Sequence, residues 1–204
     1  MLHYKKFNSY KEYTEAQVEK LRLREDYVRQ KSQRKYFDFC VDFARFDGHI
    51  EKGCRVLCLG ARFGDEVRAF RKLGYDAIGI DLYADEGDLV IKGDWNDLPF
   101  ENEFDVIYTN SIDHAWSIEK MIVQIEKALK PDGMVIIALD QHHAHAGGDA
   151  IIMRKFNNPA RYEAMLWNDD MDVTGAFAGF VIKKSWKDVR WHTYLLERNN
   201  GKTV

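Results

Sequence analysis

Two glycines and a downstream aspartate have a spacing that could hold a nucleoside. The apolar run 56–59 ends at Gly60, and Gly64 follows after three further residues. A second apolar run, 78–80, ends at Asp81. Glycines allow the backbone to approach a ligand closely, and an acid at the end of the next strand accepts hydrogen bonds from ribose hydroxyls. This pattern predicts a nucleoside cofactor.

Two candidates for a general base come shortly after the apolar run 104–109. Asp113 and His114 are residue types that take up a proton from a reacting hydroxyl when they are positioned beside it. Asp113 could equally cap the helix that follows it, and His114 could simply be exposed.

A histidine-rich segment follows the apolar run 134–139. Asp140, His142, His143 and His145 could together bind a divalent metal ion that activates an acceptor oxygen. One of the histidines could instead supply a catalytic base, and we take His142 as that candidate. A solvated loop with neither role is the third interpretation, and we assign no metal.

Strands and helices must position these side chains. The apolar runs predict strands over 56–59, 76–81, 88–91, 104–109 and 134–139, and a terminal hairpin over 179–186 and 189–197. Apolar spacing predicts helices over 10–46, 67–73, 118–129 and 159–167. Alternating strands and helices predict an α/β fold: a Rossmann-like, seven-stranded, mostly parallel sheet with helices on both faces and a C-terminal antiparallel hairpin.

Composition limits the kind of protein without identifying it. A chain of 204 residues with a net charge of -3 has no overall attraction to nucleic acid or to an anionic membrane. No apolar run approaches the roughly 18 residues of a transmembrane helix. The three cysteines do not form an even disulfide framework. We therefore expect a reduced, cytoplasmic protein.

Taken in order, these segments resemble class I S-adenosylmethionine (SAM)-dependent methyltransferases of the type 11-like kind, over about residues 53–197. The resemblance rests on the glycine-rich first motif at 56–64, the second motif at 79–81, the third at 93–95, and the turn at 129–133 before the fifth strand. The chain departs from the family at two positions, because Cys58 replaces an acid and Arg62 replaces the middle glycine. The stretch 60–67 is also similar to variants from glycan and cell-surface gene clusters.

The resemblance implies a set of SAM-binding residues. Asp94 would accept the adenine amino group, Trp95 would lie beside the adenine or in the core, and Arg62 would reach the cofactor carboxylate or point to substrate or solvent. The implied set is Gly60, Ala61, Arg62, Gly64, Asp81, Leu82, Gly93, Asp94, Trp95, Asn110 and Ser111.

The resulting hypothesis is methyl transfer from SAM to a small-molecule or glycan-type acceptor, at a hydroxyl oxygen, with Asp113, His114 or His142 as the base. Residues 1–52 would form an N-terminal helical cap on a SAM-binding domain over 53–204. The cap could cover the site or mediate a homodimer. No membrane partner is expected, and nucleic acid is not favoured.

Two alternatives remain at this stage. A non-catalytic SAM-binding module is compatible with the departures at Cys58 and Arg62. An NAD-dependent oxidoreductase is disfavoured, because Arg62 and Asp65 occupy the positions where a dinucleotide motif has glycines.

Overall fold

The structure is a computed structural model, and it describes residues 2–3, 7–84, 86–140, 165–166, 170–188 and 191–199. His142, His143 and His145 lie outside the described residues. The predicted helix over 159–167 also lies mostly outside them.

Nine strands and six α-helices occur in the described residues. The strands are β1 (Leu2–His3), β2 (Arg55–Leu59), β3 (Asp76–Asp81), β4 (Val90–Lys92), β5 (Phe104–Thr109), β6 (Leu129–Asp140), β7 (Met165–Leu166), β8 (Phe180–Lys187) and β9 (Trp191–Arg198). The helices are α1 (Tyr10–Arg22), α2 (Glu25–Gln30), α3 (Ser32–Phe43), α4 (Asp65–Lys72), α5 (Ile118–Ala128) and α6 (Asp170–Ala176). Short 3-10 turns cover Ala44–Phe46 and Ile112–His114.

Seven of the strands form one sheet in the order β4-β3-β2-β5-β6-β9-β8. The pairs from β4 through β6 are parallel, and β9 pairs antiparallel with both β6 and β8. The predicted sheet, with its closing hairpin, is confirmed. Its parallel strands direct their carboxyl ends to one edge, where ligands of open α/β sheets bind.

Both faces of the sheet are covered, as the alternation along β2 illustrates. Leu57 and Leu59 pack with residues of α1, α5 and α6, whereas Val56 and Cys58 pack with residues of α3 and α4. The second layer includes a stack of Phe43 on Phe70, with ring centroids 4.1 Å apart. A central strand that is buried on both faces explains why 56–59 is apolar without alternation.

Several boundaries differ from the sequence predictions. The helix predicted over 10–46 is broken after Arg22 and after Gln30, so it forms three helices and a 3-10 turn. β6 begins at Leu129 rather than at 134, because Leu129 already pairs with Phe104 before a register shift in the ladder. Within the predicted helix 159–167, Met165–Leu166 is instead a strand that pairs antiparallel with β1. α6 was not predicted.

The three cysteines are free thiols, and Cys58 is buried in the sheet. Burial raises the pKa of the Cys58 thiol well above its ordinary value. Among the described residues, no helix is both long enough and apolar enough to cross a membrane.

Candidate cofactor and acceptor site

The turn after β2 needs a glycine at its first position. Gly60 has φ +72°, and a Cβ built on it would lie 3.0 Å from Ser111 Cβ and 3.1 Å from Trp95 Cζ3. A side chain at this position would therefore fill the space between Ser111 and Trp95 in addition to straining the backbone. This is the close backbone approach that the sequence pattern predicts for a nucleoside site.

Arg62 keeps the backbone shape of the glycine that it replaces. Its φ is +47°, in the left-handed region that non-glycine residues seldom adopt. The Arg62 N–H donates a hydrogen bond of 2.9 Å to Asp81 Oδ2. The substitution therefore changes the side chain at this position while the turn retains its left-handed geometry.

Asp81 is buried at the end of β3 and organises the backbone around it. Its Oδ1 accepts hydrogen bonds from the N–H groups of Tyr83, at 2.9 Å, and Ala84, at 3.3 Å. Within the described residues, its Oδ2 accepts only the Arg62 N–H, so this oxygen retains capacity to accept a further donor.

Most of the predicted cofactor residues converge on one cavity, which we call the glycine-turn cavity. Its walls are the carboxyl-terminal ends of the parallel strands and the side of α1. The predicted residues that line it are Gly60, Arg62, Asp81, Leu82, Gly93, Trp95, Ser111 and His114. Gly64 lies elsewhere, as the N-cap of α4, where a Cβ would meet Val90 and Leu89.

A second cavity adjoins the first, and we call it the α3 cavity. It has a volume of about 180 Å³ and shares Arg62, Ser111 and His114 with the glycine-turn cavity. Among the predicted residues, Ala61, Asn110 and Asp113 also line it.

Asp113 and His114 lie in a 3-10 turn, and Ser117 Oγ caps α5 by accepting from the Lys120 N–H at 3.3 Å. The helix-cap alternative for Asp113 is therefore wrong.

The Asp94 carboxylate lines neither cavity and is engaged by α1. Its Oδ2 accepts the Tyr10 hydroxyl at 2.6 Å, and its Oδ1 accepts the Asn96 backbone N–H at 2.8 Å. Burial and the neighbouring carboxylate raise the pKa of Tyr10. The Tyr13 hydroxyl makes a second hydrogen bond from α1, which it donates to the His114 carbonyl oxygen at 2.5 Å. Sequence reasoning missed both tyrosines, because helical spacing does not reveal which face of α1 meets the sheet edge.

Glu66 is the second functional candidate that sequence reasoning missed. It lies in the first turn of α4, where an acid ordinarily just complements the helix dipole. Here it is buried, lines the α3 cavity and accepts a hydrogen bond of 3.2 Å from Asn110 Nδ2. Burial, supported by the neighbouring Asp65, raises the pKa of Glu66 to about 7.

The sheet order, the glycine turn and the acid at the end of β3 define a Rossmann-like nucleoside-binding protein. Residues 57–137 match the family model of the methyltransferase domain. The search of curated proteins found no match.

Three similar solved structures illustrate the structural likeness. The 1,6-didemethyltoxoflavin-N1-methyltransferase of Burkholderia thailandensis, with bound 1,6-didemethyltoxoflavin and S-adenosylhomocysteine, has a TM-score of 0.62 and 17% identity over 87% of this chain and 88% of its own. A SAM-dependent methyltransferase from Mesorhizobium loti has a TM-score of 0.57 and 13% identity over 77% and 97%. The geranyl diphosphate C-methyltransferase of Streptomyces coelicolor A3(2) has a TM-score of 0.57 and 12% identity over 78% and 75%.

The domain match over residues 57–137 and the fold together support a class I SAM-dependent methyltransferase, with SAM as its cofactor. The predicted class and cofactor are confirmed.

Proposed function

We propose that this methyltransferase acts on a hydroxyl oxygen of a small-molecule or glycan-type acceptor. The observation that carries the proposal is the junction of the two cavities at Arg62, Ser111 and His114. A cofactor in the glycine-turn cavity and an acceptor in the α3 cavity would meet at these three residues. Enzymes of this kind gain much of their rate from such alignment of two bound reactants.

The glycine-turn cavity has the features needed to hold the cofactor. A backbone cradle at Gly60, which a Cβ would fill, fits a ligand that lies against the main chain. Asp81 Oδ2 would accept from a ribose hydroxyl, and Leu82 and Trp95 would pack on the nucleoside. Arg62 would reach the cofactor carboxylate. When bound, SAM supplies an electrophilic methyl group.

Asp94 has a different place in this proposal from the one that the resemblance implied. Because its carboxylate accepts from Tyr10 and Asn96, it would position α1 as a wall of the cofactor cavity. This arrangement supports residues 1–52 acting as a cap on the domain over 53–204, since α1 lines one cavity and α3 lines the other.

On the acceptor side, His114 and Asp113 would hold the proton that leaves the hydroxyl. His114 lines both cavities, and the Tyr13 hydroxyl fixes its backbone. A positioned base of this kind assists a hydroxyl, which is a poor nucleophile at neutral pH. His142 remains a candidate for the same role.

The choice of oxygen as the acceptor atom belongs to the proposal and is not a property of the fold. Two of the three similar structures named above are an N1-methyltransferase of 1,6-didemethyltoxoflavin and a C-methyltransferase of geranyl diphosphate. The free thiols of Cys40, Cys54 and Cys58 support a reducing, cytoplasmic setting as a further part of the proposal.

Isothermal titration with S-adenosylhomocysteine, with NAD as the comparison ligand, tests the cofactor assignment. We expect S-adenosylhomocysteine alone to bind, and Asp81→Ala to abolish binding while the protein stays folded by circular dichroism. Transfer of radiolabelled methyl groups from SAM to a panel of alcohols, amines and sugars then tests the acceptor. Binding of NAD, or methylation of amines alone, would contradict the proposal.

A further inference from the structure

The α3 cavity is large enough for a ring-sized group. Its volume of about 180 Å³ is well above the ~10–15 Å³ that a cavity needs to hold one water molecule. The aromatic side chains of Phe39 and Trp191 lie in its wall, together with polar groups from α3 and from the end of β5. It adjoins the glycine-turn cavity, so a group bound there would lie beside the cofactor.

The charged residues of the wall are largely engaged with other side chains. Asp42 accepts from Arg45 at 3.0 Å, and Asp65 is bonded to Arg68. Glu66 differs from both, because it forms no ion pair with an arginine or lysine of the described residues and is bonded to the neutral Asn110 amide. The Glu66 carboxylate therefore has no directly paired cation in the described part of the chain, and its nearest positive charges there are Arg62 and Lys35 in the same cavity wall.

An ionised carboxylate only accepts hydrogen bonds, and its four lone-pair sites exceed the two donors at Glu66, the Asn110 amide and the backbone N–H of Glu66 itself. A hydroxyl or ammonium group in the cavity would supply the missing donor. A carboxylate or phosphate at the same place would face a buried like charge, which is strongly unfavourable.

We propose that Glu66, oriented by Asn110, binds a hydroxyl or ammonium group of a ring-sized acceptor in the α3 cavity, and that it excludes negatively charged groups from that position. This inference rests on the proposed function, since it assigns the acceptor of that same site. It adds a specificity-determining residue that the glycine and acid motifs do not reveal.

The protonation of Glu66 gives the proposal a second readout. With its pKa raised to about 7, Glu66 is mostly ionised at pH 8 and mostly protonated at pH 6. The charged and titratable groups around it in the surrounding elements are Asp65, Arg62, Lys35, Asp38, Asp42, Cys58, Tyr108, Asp113 and His114. A histidine also titrates in this interval, so the Glu66→Gln variant is needed to separate the two effects.

Three cyclohexanol probes that differ only in the group at the 4-position test the inference. They are trans-4-aminocyclohexanol, trans-1,4-cyclohexanediol and trans-4-hydroxycyclohexanecarboxylate, which at pH 8 are positive, neutral and negative. Binding is followed by the NMR shift of the Asn110 side-chain amide, with and without S-adenosylhomocysteine. We expect the amine to bind about tenfold or more tightly than the carboxylate, as for a hydrogen bond to a charged group.

Glu66→Gln should lower the affinity for the amine about tenfold and remove its decline between pH 8 and pH 6. Asp38→Asn is the matched control, because it removes one carboxylate from the same cavity wall without touching Asn110. It should change the affinity less than threefold. Circular dichroism confirms that both variants are folded.

Tightest binding by the carboxylate probe, for example at Lys35 or Arg62, would overturn the inference, and so would unchanged amine affinity in Glu66→Gln. A failure of the wild type to bind S-adenosylhomocysteine would instead count against the proposed function. The two failures are distinguishable, because the probe series is also measured without that ligand.

Discussion

The two cavities meet at Arg62, Ser111 and His114 but are built from different parts of the chain. The glycine-turn cavity depends on where the main chain runs: Gly60 lacks room for a side chain, and Asp81 is fixed by three backbone N–H groups. The α3 cavity depends on side chains from separate elements, such as Glu66 on α4 and Asn110 after β5.

This difference teaches how one fold can keep a cofactor and vary its acceptor. A backbone cradle changes only when the fold changes, so it suits a ligand common to many enzymes. Side chains on α3 and on the first turn of α4 can be replaced without moving the sheet. The predictions below test that contrast, from the largest expected effect to the smallest.

The largest effect should come from the buried carboxylate of the α3 cavity. The pKa of Glu66 is raised from 4.5 to about 7, so the folded state holds this proton more tightly than the unfolded chain does. The proton on Glu66 therefore stabilises the folded state fully below about pH 4.5. The free energy of unfolding then falls as the pH rises to about 7, by ~3 kcal/mol in total.

Glu66→Gln should remove this dependence and make the protein more stable at pH 8 than the wild type. Urea unfolding at pH 5 and pH 8 measures both effects. The exposed Glu19 of α1 is a suitable control, and Glu19→Gln should leave the pH profile as it is in the wild type. A wild-type protein that gained stability between pH 5 and pH 7 in proportion to Glu66 ionisation would contradict the prediction.

The backbone cradle should be the next most sensitive feature. Gly60→Ala combines a positive φ with contacts of 3.0–3.1 Å to Ser111 and Trp95, so we expect it to lower the free energy of unfolding by about 2–3 kcal/mol. Affinity for S-adenosylhomocysteine should fall at least tenfold. Calorimetric titration and urea unfolding measure the two losses.

Gly48 provides the matched control, because it has φ +74° but nothing within 4 Å of a built Cβ. Gly48→Ala should cost only the conformational penalty of about 1 kcal/mol and leave ligand affinity unchanged. Equal losses in the two variants would show that the crowding at Gly60 has no effect of its own.

Removing a hydrogen bond that attaches α1 to the sheet edge should have a smaller effect on stability and on ligand affinity. Tyr10→Phe removes the donor to Asp94 and an acceptor for Asn96, which we expect to cost about 1–2 kcal/mol of stability. Because α1 lines the glycine-turn cavity, S-adenosylhomocysteine affinity should fall a few-fold. Tyr27→Phe, on the exposed surface of α2, should change neither quantity. Unaltered affinity in Tyr10→Phe would mean that α1 does not need this bond to form the cavity wall.

The contrast between the cavities also explains what the sequence could predict. The limits of β3 and β5 were predicted to the residue, because buried parallel strands are short apolar runs between turn residues. Gly60 and Asp81 could be proposed as cofactor residues because they lie on consecutive elements, where spacing along the chain reflects spacing in the fold.

The rest depends on contacts between elements that are distant in sequence. Tyr10 meets Asp94 across 84 positions, and Asn110 meets Glu66 across 44. No periodicity or motif encodes such pairs, so α1 was predicted as a helix without its role in the site. Asp113 was interpreted as a possible helix cap because it lies shortly before the predicted helix, but Ser117, four positions later, caps α5 instead.

The smallest stability effect should come from Arg62, which belongs to both cavities. Arg62→Gly relieves a left-handed backbone at φ +47° but increases the freedom of the unfolded chain, so the net gain should be at most ~1 kcal/mol. Asn102→Gly is the matched control, since Asn102 has φ +50° and lines neither cavity.

If the guanidinium holds the cofactor carboxylate, Arg62→Gly alone should lower S-adenosylhomocysteine affinity about tenfold, as for the loss of one charge-assisted hydrogen bond. Equal affinities in the two variants would show that the Arg62 guanidinium does not hold the cofactor carboxylate, which leaves it to the acceptor cavity that it also lines or to solvent.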